Sequence, residues 1–425
     1  MNNVSDIGSI SILALIFQTF GMFWWIFLPI ILYTVFQILW IDFSGWYSSN
    51  SWTALKKWTY LEIIPPREIE RGPKMMEHIF TGLTGVLTTY NTFDEYLRGA
   101  WYHDRFSLEM VGEEGKMHFY IRTQKNYRAL IESNIYAQYP DAKVLEVPDY
   151  TEKFPKIIPN RYWNLWGVDF EFVSKDAIPI KTYDKFEETI TGEIIDPISS
   201  LAEVIGSLGP GQHIWLQYVL QPLPEVEKKK DAHVNVIKKL KGEDVPEPMS
   251  LGGHLLDVIT SVPKAFISPV VFGAAEKKDK GPLEFRLSPT EKELLKATEE
   301  NLGKNLFKTK MRFMLVGRRE NFDKSNVSAF IGALKQFNDI NFNQIKPEDT
   351  SKTYGIIFGA KQRTEFRQRK LYARYKKRNM DGKTIIFSTK ELATLFHFPD
   401  INVKAPSITR TEAKLGSAPL NLPVE

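Results

Sequence analysis

The sequence predicts an α+β protein in which one N-terminal transmembrane helix precedes two α/β modules with antiparallel sheets. Three observations lead there. Asp6 and Asp42 bracket 35 uncharged residues, enough for one bilayer crossing and too few for two. Residues 105–222 and 283–399 each alternate short strand patterns with amphipathic helical ones. Residues 223–282, between them, are charged and Pro-punctuated and read as an insertion or linker carrying one amphipathic helix. At 43% hydrophobic residues the 425-residue chain has an ample core. The net charge of +4 is too small to argue for nucleic acid globally, so any polyanion site must be local. The chain has no cysteine, which excludes disulfides, thiolate zinc sites and Cys nucleophiles.

Residues 1–45 form the expected anchor, crossing at about 20–41. The crossing opens at Phe20, and Trp24 and Trp25 near one end and Trp40 and Trp46 near the other suit interfacial belts. Pro29 is a tolerated kink. A cleaved signal peptide fits poorly, because no Lys or Arg precedes Lys56 and the apolar run is too long. Lys56, Lys57 and Arg67 follow the span with nothing basic before it, which predicts the N-terminus outside and residues 50–425 in the cytoplasm. The segment 46–104 carries the strand "YLEIIPP" (60–66) and then a helix in "GPKMMEHIFTGLTGVL".

In the first module, "RFSLEMVGEEGKMHFYIRT" (105–123) is a hairpin about a Glu-Glu-Gly turn. A helix over 124–140, strands over 142–150 and 162–174, a helix over 196–211 N-capped by Asp196, and a strand over 212–222 follow. The order β-β-α-β-β-α-β suits a ferredoxin-like plan with an extra hairpin strand. The second module is looser. Ser288 and Thr290 ahead of Glu291 and Glu293 signal a capped helix over 288–304. Strands are expected over 307–318, 353–360 and 382–388, and helices over 326–338 and 389–399. Residues 400–425 form an extended strap.

The chemistry is sparse. "GKT" at 382–384 lacks the earlier P-loop glycine, since position 377 is Lys377, and it opens a strand rather than a helix. "GSLGPGQH" (206–213) follows a helix and precedes a strand, the wrong order for a dinucleotide loop. The seven histidines form no close metal-ligand pair, and no nucleophile elbow occurs. No catalytic residue, cofactor or metal is expected. The strongest charge feature is "KQRTEFRQRKLYARYKKR" (361–378). Its nine cations are Lys361, Arg363, Arg367, Arg369, Lys370, Arg374, Lys376, Lys377 and Arg378, opposed only by Glu365. Phe366, Tyr372 and Tyr375 interleave. Such a stripe suits DNA phosphates or anionic headgroups, and equally a solvated helix or loop with its aromatics turned inward.

Several stretches together resemble the region ahead of the motor in HerA/FtsK-related ATPases of type IV secretion and conjugation. They are "YLEIIPP" with "GPKMMEHIFTGL", "FSLEMVGEEGKMHFYIRT" with "IYAQYPDAKVLEVPDY", "DPISSLAEVIGSLGPGQHIWLQYVLQP", "FKTKMRFMLVGR", and "ELATLFHFP" before a strap ending "APLNLP". The resemblance implies a non-enzymatic platform at the bacterial inner membrane, contacting the lipid bilayer, forming a homo-oligomer, and docking a separate translocation ATPase. Pro406, Pro419, Leu420, Asn421, Leu422 and Pro423 would be the docking strap. The motor would be on another polypeptide, or the sequence is a fragment. The alternative is a membrane-tethered DNA-binding protein using residues 361–378.

Overall fold

A computed structural model describes residues 21, 25, 28–29, 31–37, 39–40, 56–66, 69, 72–87, 104–186, 196–223, 238, 287–354, 359–400 and 410. Two units divide the chain, residues 1–57 with 88–103 and residues 58–87 with 104–425. In the first, the described residues between 21 and 40 are helical, and Trp25, Pro29 and Trp40 are exposed. Phe20, Trp24 and Trp46 lie outside the described residues. The expected membrane crossing is corrected here: among the described residues, no helix is long and apolar enough to cross a membrane.

In the second unit, alternating residues build nine strands among the described residues, all paired antiparallel. They are β1 (Trp58–Ile64), β2 (Phe106–Glu113), β3 (Lys116–Gln124), β4 (Lys143–Glu146), β5 (Trp163–Phe172), β6 (Gln212–Pro222), β7 (Leu306–Arg318), β8 (Ile345–Pro347) and β9 (Ile385–Ser388). Glu114 and Gly115 join β2 to β3 with φ of 49° and 87°, a two-residue turn whose twist matches its strands. The sheet order is β4-β1-β3-β2-β6-β7-β5-β8, with β9 also on β7.

The two separate ferredoxin-like sheets that the sequence predicts are therefore one sheet. The seam is β6 against β7, in register from Gln212 opposite Gly317 to Pro222 opposite Phe307. Nearly every residue of both strands is buried, so neither could serve as a solvated edge. β5, expected in the first module, pairs with β7 and β8 of the second. β7 gives one edge to β6 and divides the other, with Arg312–Arg318 on β5 and Leu306–Thr309 on β9. β8 is a strand that sequence alternation does not announce. Residues 355–358 of the strand expected over 353–360 lie outside the described residues.

One sheet face carries Leu108, Met110, Phe119, Ile121, Leu216, Phe313 and Leu315. Over it pack the apolar stripes of α1 (Gly72–Leu83), α2 (Arg128–Gln138), α3 (Ser199–Gly206), α5 (Ser325–Leu334) and α7 (Thr389–Leu395). α4 (Pro289–Leu302) begins with the predicted capping box of Ser288 and Glu291, and Ser388 and Glu391 form a second at α7. Burying one such Phe or Leu contributes about 1.5–3 kcal/mol. The opposite face carries Val111, Tyr120, Leu165, Trp215, Met314 and Val316, covered by Tyr150, Phe154 and the inner face of α6 (Ala360–Lys377).

α3 begins at Ser199, three residues after its expected cap. Asp196 accepts from Ile198 N–H (2.8 Å), from Asp400 N–H (2.7 Å) and from His397 Nε2 (2.7 Å). It thereby ties the start of α3 to residues 397–400, the stretch that follows α7. The strap residues Pro406, Pro419, Leu420, Asn421, Leu422 and Pro423 lie outside the described residues.

Candidate polyanion-binding face

Helical spacing sorts the basic run. Gln368, Leu371, Tyr372 and Tyr375 recur at i, i+3, i+4 and i+7 and are buried. Lys361, Arg363, Arg367, Arg369, Lys370 and Lys377 are exposed, and Arg374 and Lys376 are half-buried. Eight of the nine cations thus reach solvent from one helix.

The sheet fixes the height of that helix. A Cβ on Gly167 of β5 would come within 2.7 Å of Leu371 Cδ2 and 3.0 Å of Phe313 O, so glycine is what lets α6 lie so close. Gln368 Nε2 donates to Leu165 O, Tyr372 OH donates to Pro155 O (2.9 Å), and the Tyr375 and Tyr150 hydroxyls share a hydrogen at 2.6 Å. The chain enters α6 through Gly359 at φ 73° and leaves it through Arg378 at φ 50°.

Two grooves flank α6. The first, of about 440 Å³, is lined by Arg363, Arg367, Lys370 and Arg374 together with Thr350, Ser351 and Phe366, and by no carboxylate. Its four cations stand at i, i+4, i+7 and i+11, a single stripe. Arg367 donates to Tyr354 O (2.7 Å) and Lys352 O (3.3 Å), which holds its guanidinium at the groove wall. The second, of about 620 Å³, is lined by Arg161, Arg319, Lys324, Lys361 and Arg369. Its one carboxylate, Glu365, sits 3.7 Å from Arg369.

Arg378 is corrected: it is buried and faces the sheet, not solvent. Its guanidinium donates to both oxygens of Glu109 (2.9 and 3.0 Å) and to both of Asp149 (2.7 and 3.0 Å). Burial pushes each carboxyl up, and Arg378 outweighs it and holds both below the usual carboxylate range. Glu109 belongs to a polar ladder across the sheet. In register beside it stand Gln217 on β6, Arg312 on β7 and Asp169 on β5. Gln217 Nε2 donates to Glu109 (3.1 Å), Arg312 donates to Gln217 Oε1 (3.2 Å) and to Asp169 (2.7 Å), and Lys310 Nζ lies 2.8 Å from Asp169. Each buried charge has an opposite partner, as its desolvation requires.

Sequence reasoning finds the stripe but misses Arg161, Arg319 and Lys324. They reach the second groove through the β5–β7 register, which sets Trp163 opposite Arg318, and Arg319 N–H donates to Tyr162 O (2.9 Å). No local composition announces that. The burial of Arg378 did carry a signal: 371, 375 and 378 continue the buried helical spacing.

Elsewhere, the carboxylate–imidazole pair of Asp196 and His397 is buried and closed, since His397 Nδ1 meets Ala393 O at 2.8 Å. Among the described residues, no group of three or more His, Asp or Glu is placed to hold a metal ion.

The fold and site define an antiparallel α/β domain with one strongly cationic helix face. Residues 51–411 match the family described as Domain of unknown function (DUF8128), and the chain belongs to that family. No curated protein matches the sequence.

Proposed function

We propose that the protein is a non-enzymatic DNA-binding module whose α6 face takes the phosphate backbone. The observation that carries this reading is the pair of grooves beside α6, where nine cations meet one carboxylate that is already paired. Phosphate contacts supply most non-specific affinity for DNA and make it strongly salt-dependent. The resemblance to the pre-motor region of HerA/FtsK-related ATPases supplies the setting. Such a module would hold DNA beside a separate translocating ATPase, within a homo-oligomeric platform of a transfer machine.

The test is a salt titration of DNA binding by the full chain and by a variant with Arg363, Arg367, Lys370 and Arg374 all changed to Gln. Each lost phosphate contact flattens the plot of log affinity against log salt by about 0.7–0.9. A variant that keeps the native slope and affinity would remove the α6 face from consideration.

A further inference from the structure

We infer that the α6 face is built for a single strand rather than a duplex, an inference that rests on the DNA reading above. The observation is where the exposed aromatic rings sit. In the second unit, the aromatic side chains strongly exposed among the described residues are Phe366 (66%), Tyr162 (65%), Tyr354 (57%) and Tyr136 (41%). One of these rings lines the first cationic groove, and a second lies beside an arginine of the other. Phe366 lines the first groove among Arg363, Arg367 and Lys370. The Tyr162 ring centroid lies 5.8 Å from the guanidinium carbon of Arg161, which lines the second groove.

Cations and rings do different work on a nucleic acid. Guanidinium and ammonium groups neutralise phosphates whether the nucleic acid is paired or not. An aromatic face needs a free base face, and a duplex keeps its base faces stacked inside. Phe366 stands on α6 about 4.5 Å along the axis from Arg363 and about 6 Å from Lys370, so backbone and base contacts alternate within one groove. Alternation of a charged track with stacking platforms is the chemistry that recognises unpaired strands without reading sequence. A site for duplex backbone alone gains nothing from rings held in water.

The experiment compares a labelled oligothymidylate of about 20 nucleotides, longer than one groove needs, with a duplex of the same length at equal salt, using the full chain. The single strand is expected to bind at least tenfold more tightly. Phe366→Ala and Tyr162→Ala are each expected to weaken single-strand binding by about tenfold, narrowing the preference over duplex, with the salt slope unchanged. Phe366→Trp should restore binding. Both rings are exposed, so the variants should melt as the parent does. Equal affinity for duplex and single strand, or indifference to Phe366→Ala and Tyr162→Ala, overturns the single-strand inference and leaves the DNA reading standing. Binding to neither nucleic acid, or binding only to vesicles rich in phosphatidylserine, overturns both.

Discussion

Arg378 and its neighbours in the basic run differ by one thing, the direction they face. Eight cations reach solvent, while Arg378 sits in a backbone conformation uncommon for residues other than glycine and is held there by two carboxylates. Arg378→Met should cost about 3–5 kcal/mol in urea unfolding, because Glu109 would stay buried without its partner. The same substitution should leave the DNA affinity of the folded fraction unchanged, in contrast to changes at Arg363 or Arg367. The pair also predicts a pH dependence. Glu109 and Asp149 have lower pKa values folded than unfolded, so their contribution is complete above the ordinary carboxylate range, about pH 4–4.5, and is lost as pH falls below it. Melting temperatures measured from neutral pH downward should show that loss, and Asp149→Asn should shrink it. Charge in the run was plain from the sequence. The role of its last member was hidden, because composition does not distinguish an inward cation from an outward one and only helical spacing does.

At the scale of the element, α6 is an amphipathic helix whose polar face is unusually rich in one sign. Its inner stripe was legible from Leu371, Tyr372 and Tyr375. Its height above the sheet was not, since that depends on Gly167 of a strand far away in the chain. Gly167→Val should lift the helix, costing about 1–3 kcal/mol by overpacking. It should also weaken DNA binding without removing a single cation, by pulling the two groove walls out of alignment. Thermal melts and the salt titration together check this, and native binding in a destabilised variant would contradict it. The walls contributed by Arg161 and Arg319 became visible only with the register of β5 on β7.

At the scale of the molecule, strand patterns were readable and their partners were not. Alternation in β2, β3, β5, β6 and β7 marked them as strands, and the Glu114–Gly115 turn fixed one hairpin. The β6–β7 pairing spans the long charged segment 223–282, and no local pattern reports which strands meet across such a gap. The near-continuous burial of both strands is the clue that neither is an edge. One sheet implies one unfolding event for the second unit. Far-UV circular dichroism and tryptophan fluorescence should give coincident transitions. Trp215→Ala, in β6 at the seam, should lower both by the same amount, costing about 3–5 kcal/mol. Two separated transitions would point back to two modules.

The ladder of Glu109, Gln217, Arg312 and Asp169 also constrains how this sequence can change over time. Each side chain is another's partner, so a substitution at any one takes a buried hydrogen bond from its neighbour, and single steps away from the ladder are unfavourable. Only concerted replacement escapes that trap. Within the family, a member with apolar residues at both 310 and 312, the two cations beside Asp169, is therefore expected to have lost the acid at 169 as well, and these positions should be inherited as a block while the exposed cations of α6 drift one at a time.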